Sequence, residues 1–128
     1  MVNALVKPTG EIGKVKLPIA EKVYDVDMIM ECASYLGIES IKFMSVNGVE
    51  HLDELIYVTK KAHQFGLKGI EPAGGINLDN IEQIVAGVRD IDIEFFMPHI
   101  FGYAVELGTG LTEPEKVRKI YKKVEGLQ

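Results

Sequence analysis

Apolar residues recur along the chain with two alternating periods, and that alternation predicts the fold class. Short β-rich runs at Val2 to Val6, Ser40 to Met44, Leu67 to Glu71 and Ile93 to Met97 are each followed by a stretch with apolar residues three and four apart. After the first run come Pro8-Thr9-Gly10 and a short Val15-Lys16-Leu17 extension. A helix is then expected from near Asp25, with Val26, Ile29, Ala33 and Leu36 on one face and Gly37 closing it. The second helix carries Leu52, Leu55, Ile56 and Ala62 and stops at Gly66. The third, capped by Asn77, carries Leu78, Ile81, Val85 and Val88. The last opens with Thr112-Glu113-Pro114-Glu115, a capping box, and buries Val117, Ile120 and Val124. Strands separated by helices imply right-handed crossovers and a parallel sheet. The expected architecture is therefore α/β, four βα units in one domain over residues 1–128.

Composition narrows the function classes. With 14 basic against 19 acidic residues the formal charge is -5, so the chain offers no general attraction to a nucleic-acid backbone or an anionic membrane, and neither partner is expected. The one cysteine, Cys32, falls within the apolar pattern of the first helix and has no second thiol, which excludes a disulfide framework or a cysteine zinc site. No His-x-His, Cys-x-x-Cys or clustered-acid spacing is present, so neither a metal nor another cofactor is expected. Without a basic-then-apolar leader or a run of membrane-spanning length, the expected location is the cytoplasm.

Three features point to chemistry. An ionisable side chain midway along a covered strand is costly without a task or a partner, and Lys42, in Ile41-Lys42-Phe43-Met44, is such a residue. Desolvation favours the neutral amine that attacks a carbonyl; the structural alternative is a lysine that points to an outer edge or pairs with an acid such as Glu39. Next, Glu71-Pro72-Ala73-Gly74-Gly75-Ile76-Asn77 lies between a strand and a helix, where the amides of Gly74 and Gly75 suit a phosphate or carboxylate; the alternative is a tight turn needing positive φ. Glu71 itself closes a strand as a candidate general base or water holder, or else pairs with Lys68. Finally, His99 at the end of the fourth strand either hydrogen-bonds substrate, transfers a proton or is a structural donor. His51 and His63 are read as ordinary surface or packing residues.

These segments resemble the 2-dehydro-3-deoxy-phosphogluconate aldolases, and more closely a branch linked to the breakdown of sugar acids and amino-sugar acids. Val2-Asn3-Ala4-Leu5-Val6 with Pro8-Thr9-Gly10 and Gly13-Lys14-Val15-Lys16 resembles the fifth strand and its loop; Ser40-Ile41-Lys42-Phe43 resembles the sixth, Glu71-Pro72-Ala73-Gly74-Gly75-Ile76 the seventh and Pro98-His99-Ile100 the eighth. The resemblance implies half of a (β/α)8 TIM barrel, the C-terminal half, and a class I aldolase that cleaves a 2-dehydro-3-deoxy sugar acid or its phosphate to pyruvate and an aldehyde. It implies Lys42 as the imine-forming residue, Glu71 as a proton carrier, and Gly74, Gly75, Lys16 and His99 at the substrate or its phosphate. The pattern departs at Ala73, where a threonine is expected, at Leu17-Pro18-Ile19-Ala20, and at Glu50 and Leu52, so phosphorylated and plain oxo acids both stay open. Four units cannot close eight strands, so a second copy or a separately encoded N-terminal half is expected as partner. The rival expectations are a non-catalytic half-barrel subunit or remnant and a small flavodoxin-like domain that binds an anion.

Overall fold

Alternation along the short strands decides which side of the sheet is buried, and hence where a site can lie. In the computed structural model, which describes residues 2–19 and 21–100, the strands and helices follow in the order β1 (Asn3–Pro8), β2 (Lys14–Lys16), β3 (Val23–Asp25), α1 (Val26–Tyr35), β4 (Ser40–Met44), α2 (Leu52–Gln64), β5 (Gly69–Ala73), α3 (Ile81–Val88) and β6 (Phe95–Phe96). The helix expected at residue 112 lies outside the described residues.

These strands form one six-stranded sheet in the order β3-β2-β1-β4-β5-β6. The pairs β1–β4, β4–β5 and β5–β6 are parallel, whereas β2 and β3 form an antiparallel hairpin laid on β1. The parallel strands thus stand side by side in chain order, unlike a doubly wound flavodoxin-like sheet, whose order reverses at a switch point. The hairpin was not expected; Val15-Lys16-Leu17 reads as an extension because three residues are too few to show a period.

One face of the sheet makes the core. Val6, Ile41, Phe43 and Ile70 point to it and pack with Val26, Met30 and Ala33 of α1, Leu55, Val58 and Ala62 of α2, and Ile81 and Ile84 of α3. Successive side chains alternate across a strand, so Leu5 and Lys7 of β1, Ser40, Lys42 and Met44 of β4, and Gly69, Glu71 and Ala73 of β5 share the opposite face. No described helix covers that face, and Leu5 and Met44 on it are exposed.

Three expectations need correction. Leu36 does not join the buried stripe of α1: it is the C-cap, next to Gly37 at φ 76°, and the turn swings it out to 70% exposure. Cys32, on the same helix, is exposed as well. Finally, β5 begins two residues later than the pattern suggests and runs through Pro72. The strand accommodates this proline because Pro72 O accepts from His99 N at 2.8 Å; N and O of one residue point the same way, so the missing donor faces the short edge strand β6.

Candidate functional site

The face that no described helix covers is laid out in rungs by the strand registers. Asn3, Ser40, Gly69 and Phe95 form one rung, and Leu5, Lys42 and Glu71 the next. Beyond them Ala73 bridges to His99. The lowest rung explains Gly69: a Cβ there would lie 2.1 Å from the Phe95 ring, so only glycine lets that ring lie across the strand.

Glu71 is at the centre of this face and is buried. Its Oε2 accepts from Ser40 Oγ at 2.8 Å and from Asn3 Nδ2 at 3.2 Å, while Oε1 faces His99 Nε2 at 3.1 Å. Burial is the largest single influence on this carboxyl and would push its pKa up. The Ser40 hydroxyl, the His99 ring and the Asn3 amide, with the charge His99 can carry, together outweigh it and hold the pKa below the usual glutamate value. Glu71 is accordingly an ionised acceptor at neutral pH. It does not pair with Lys68, which reaches Glu39 at 3.4 Å.

That same pair removes Glu39 as the partner of Lys42. Lys42 is half-buried and sits directly across from Glu71 in the β4–β5 register, and its side chain makes no hydrogen bond or ion pair among the described residues. The enclosure expected for a lysine within a strand is therefore incomplete, because its face lacks a described cover. Lys16 is farther away: it lies on β2, opposite Lys7, with its Nζ 3.5 Å from Glu21 Oε2.

The two glycines after β5 are accounted for by packing. Gly74 and Gly75 have φ of 101° and 70°, and a Cβ on Gly74 would lie 2.0 Å from Ser45 Oγ, one on Gly75 2.8 Å from Gly48 N. The loops after β4 and β5 are stitched together by Val46 N to Ala73 O at 2.8 Å and Gly48 N to Gly74 O at 3.0 Å. Asn80 Nδ2 donates to Gly75 O at 2.8 Å, and Asn80 Oδ1 accepts from Asn77 N at 2.9 Å. Asn77 therefore caps the turn before α3, accepting from Asp79 N, and the helix proper starts at Ile81. Positive φ and close backbone packing are thus both seen at Gly74 and Gly75.

A second buried carboxylate, Glu54 on α2, clamps the first loop. Its Oε2 accepts from Thr9 N at 3.1 Å and Gly10 N at 3.2 Å, and its Oε1 is 2.6 Å from His51 Nδ1. His51 is thus part of a loop-to-helix tie and not a free surface group. Among the described residues no three His, Cys, Asp or Glu side chains converge to hold a metal, and no helix is long and apolar enough to cross a membrane.

Sequence patterning marked Lys42, Glu71 and His99, and the structure gathers all three on one face. It missed Asn3 and Ser40, although the spacing held a signal: Ser40 is two residues from Lys42, and Asn3 two from Leu5, so each shares that face. Comparison with known proteins bears on this arrangement. A curated relative, 2-dehydro-3-deoxy-phosphogluconate aldolase of Salmonella typhimurium, is 29% identical over 133 residues, covering 98% of this chain and 54% of its own length. The chain spans about half the length of that relative. A family model described as KDGP aldolase matches residues 1–107, and the chain belongs to the KDGP aldolase family.

Proposed function

We propose that this chain supplies the imine-forming lysine, Lys42, of a class I aldolase that cleaves a 2-dehydro-3-deoxy sugar acid, or its phosphate, to pyruvate and an aldehyde. Membership of an aldolase family supports the reaction class. One observation carries the residue: among the described residues the Lys42 side chain has no partner, on a face that no described helix covers, beside a fixed carboxylate. An amine bound in an ion pair is a poor nucleophile, and Lys42 is in none among the described residues. Parallel strands in chain order, with the described helices on one face, are what one half of a (β/α)8 barrel presents, and the opposite face would be the barrel interior. His99 at the strand ends and the Gly74-Gly75 turn lie toward the C-terminal ends of the strands, where barrel enzymes bind substrate.

Incubation with pyruvate and borohydride tests the reading. A reduced pyruvyl adduct is expected on Lys42, and Lys42→Met should abolish it. Labelling of Lys16 alone, or no labelling in a folded assembly, would sink the assignment.

A further inference from the structure

We propose that His99, not Glu71, is the group that moves protons at this site, with Glu71 as the residue that fixes its tautomer and Ser40 and Asn3 as positioning residues behind it. The inference deepens the aldolase reading above and rests on it.

The argument begins with hydrogen-bond inventory. An ionised carboxylate has acceptors and no donor, and Glu71 Oε1 lies 3.1 Å from His99 Nε2. In the neutral ring, Nε2 must therefore carry the hydrogen, which leaves Nδ1 with a free lone pair. Glu71 itself is badly placed to act as the base. Its Oε2 already accepts from Ser40 and Asn3, its Oε1 from His99, and it is buried. His99 is half-buried, with a side chain 34% exposed, and of the pair it is the one open to a ligand. The arrangement of base, orienting carboxylate and donors that hold the carboxylate matches what acid–base catalysis requires of a histidine. The other charged groups sharing its face are Lys42 on β4 and, farther along the sheet, Lys7 on β1 and Lys16 on β2.

In the step proposed, the substrate is held as an iminium between its C2 and Lys42. Nδ1 of His99 takes the proton of the C4 hydroxyl. The electrons of that O–H bond form the aldehyde carbonyl, the C3–C4 bond breaks, and its electron pair forms a C2–C3 double bond as the iminium nitrogen becomes neutral. The imidazolium, stabilised by Glu71, then returns the proton to C3. Water hydrolyses the resulting pyruvate imine and frees Lys42, with no net proton gained or lost by the protein.

Two measurements on the full chain test this. Long-range proton–nitrogen spectra of the labelled protein should show His99 as the Nε2–H tautomer, and Glu71→Gln should mix the two tautomers; an Nδ1–H tautomer in the parent overturns the proposal by itself. Exchange of pyruvate methyl protons in D2O should then fall roughly 100-fold or more in His99→Gln and His99→Asn, while borohydride still traps pyruvate on Lys42. If the parent traps pyruvate and both variants exchange at the parent rate, the proton-transfer role fails and the Lys42 reading stands. If the parent neither traps nor exchanges pyruvate, the aldolase reading fails and takes this one with it.

Discussion

Glu71 stays charged on a sheet face only because donors from three other strands or strand ends replace the water it has lost. Asn3 comes from β1, Ser40 from β4 and His99 from beyond β6, so the carboxylate also ties four segments of the parallel sheet. The Ser40 bond is the shortest and the most deeply buried of the three. Ser40→Ala should therefore destabilise the fold by roughly 1.5–3 kcal/mol at neutral pH, the scale of one hydrogen bond to a charged group. The sign of the pH effect follows from linkage. Because the folded pKa of Glu71 is lowered, its contribution to stability is present above the unfolded glutamate value, about 4.3, and is lost as pH falls through the folded value. Without the Ser40 hydroxyl the folded value rises toward the unfolded one, so the variant should lose less stability than the parent as pH falls, and the gap between the two should narrow toward pH 3. Denaturant titrations from pH 3 to pH 7 measure both effects. Parallel acid limbs for parent and variant would mean that Ser40 does not stabilise the charge.

The elements that hold the site are joined by their loops as much as by their strands. Since Gly75 has φ 70° and a Cβ there would meet the backbone of Gly48 and Asn47 at 2.8 and 3.2 Å, Gly75→Val should lower stability by at least about 2 kcal/mol. Asn80→Ala, which removes the two hydrogen bonds from the Asn80 side chain, should cost less, about 1 kcal/mol. Thermal or denaturant melts rank the two; a parent-like midpoint for Gly75→Val would show that the loops are not locked in this way. A loss of ligand binding in Gly75→Val would therefore not distinguish an anion site from a displaced loop. The same particulars show which elements were legible. Ser40 to Met44 reads correctly because Ile41, Phe43 and Met44 make a short β-prone run bounded by Gly37-Ile38-Glu39 and the loop beyond. The next strand was shifted because Pro72 looks like a stop signal, whereas its one missing donor faces an edge. The face opposite the core was hidden for a different reason. The pairing of Glu71 with Ser40 and Asn3 spans 31 and 68 residues of chain, and no local period encodes such a contact.

At the scale of the molecule, the unbalanced feature is a sheet with the described helices on one side only. Among the described residues the other side carries Leu5, Met44 and Met97, exposed at 38%, 42% and 53%, around the Lys42–Glu71–His99 row. Apolar side chains in a shared surface of this kind mark an interface or an aggregation liability. The edges point the same way, though less strongly than the strand pattern alone implies. The outer edge of β1 is paired by the hairpin at Lys7 and Pro8, which leaves its Asn3–Val6 portion without a described neighbour, and β6 contributes an edge of two residues. A parallel sheet is ordinarily covered on both faces, and four parallel strands do not close a barrel. We therefore expect a second chain against this face. Two copies would cover the apolar groups, whereas on the proposed half-barrel reading a chain resembling the rest of the longer relative would also supply further strands. Sedimentation at low micromolar concentration, alone and after mixing with such a chain, tests the expectation. The predicted result is a species heavier than the 14.2 kDa of one chain, with pyruvate trapping on Lys42 rising in step with its formation. A soluble monomer that melts cooperatively, binds no second chain and traps pyruvate unaided would show that the sheet needs no partner.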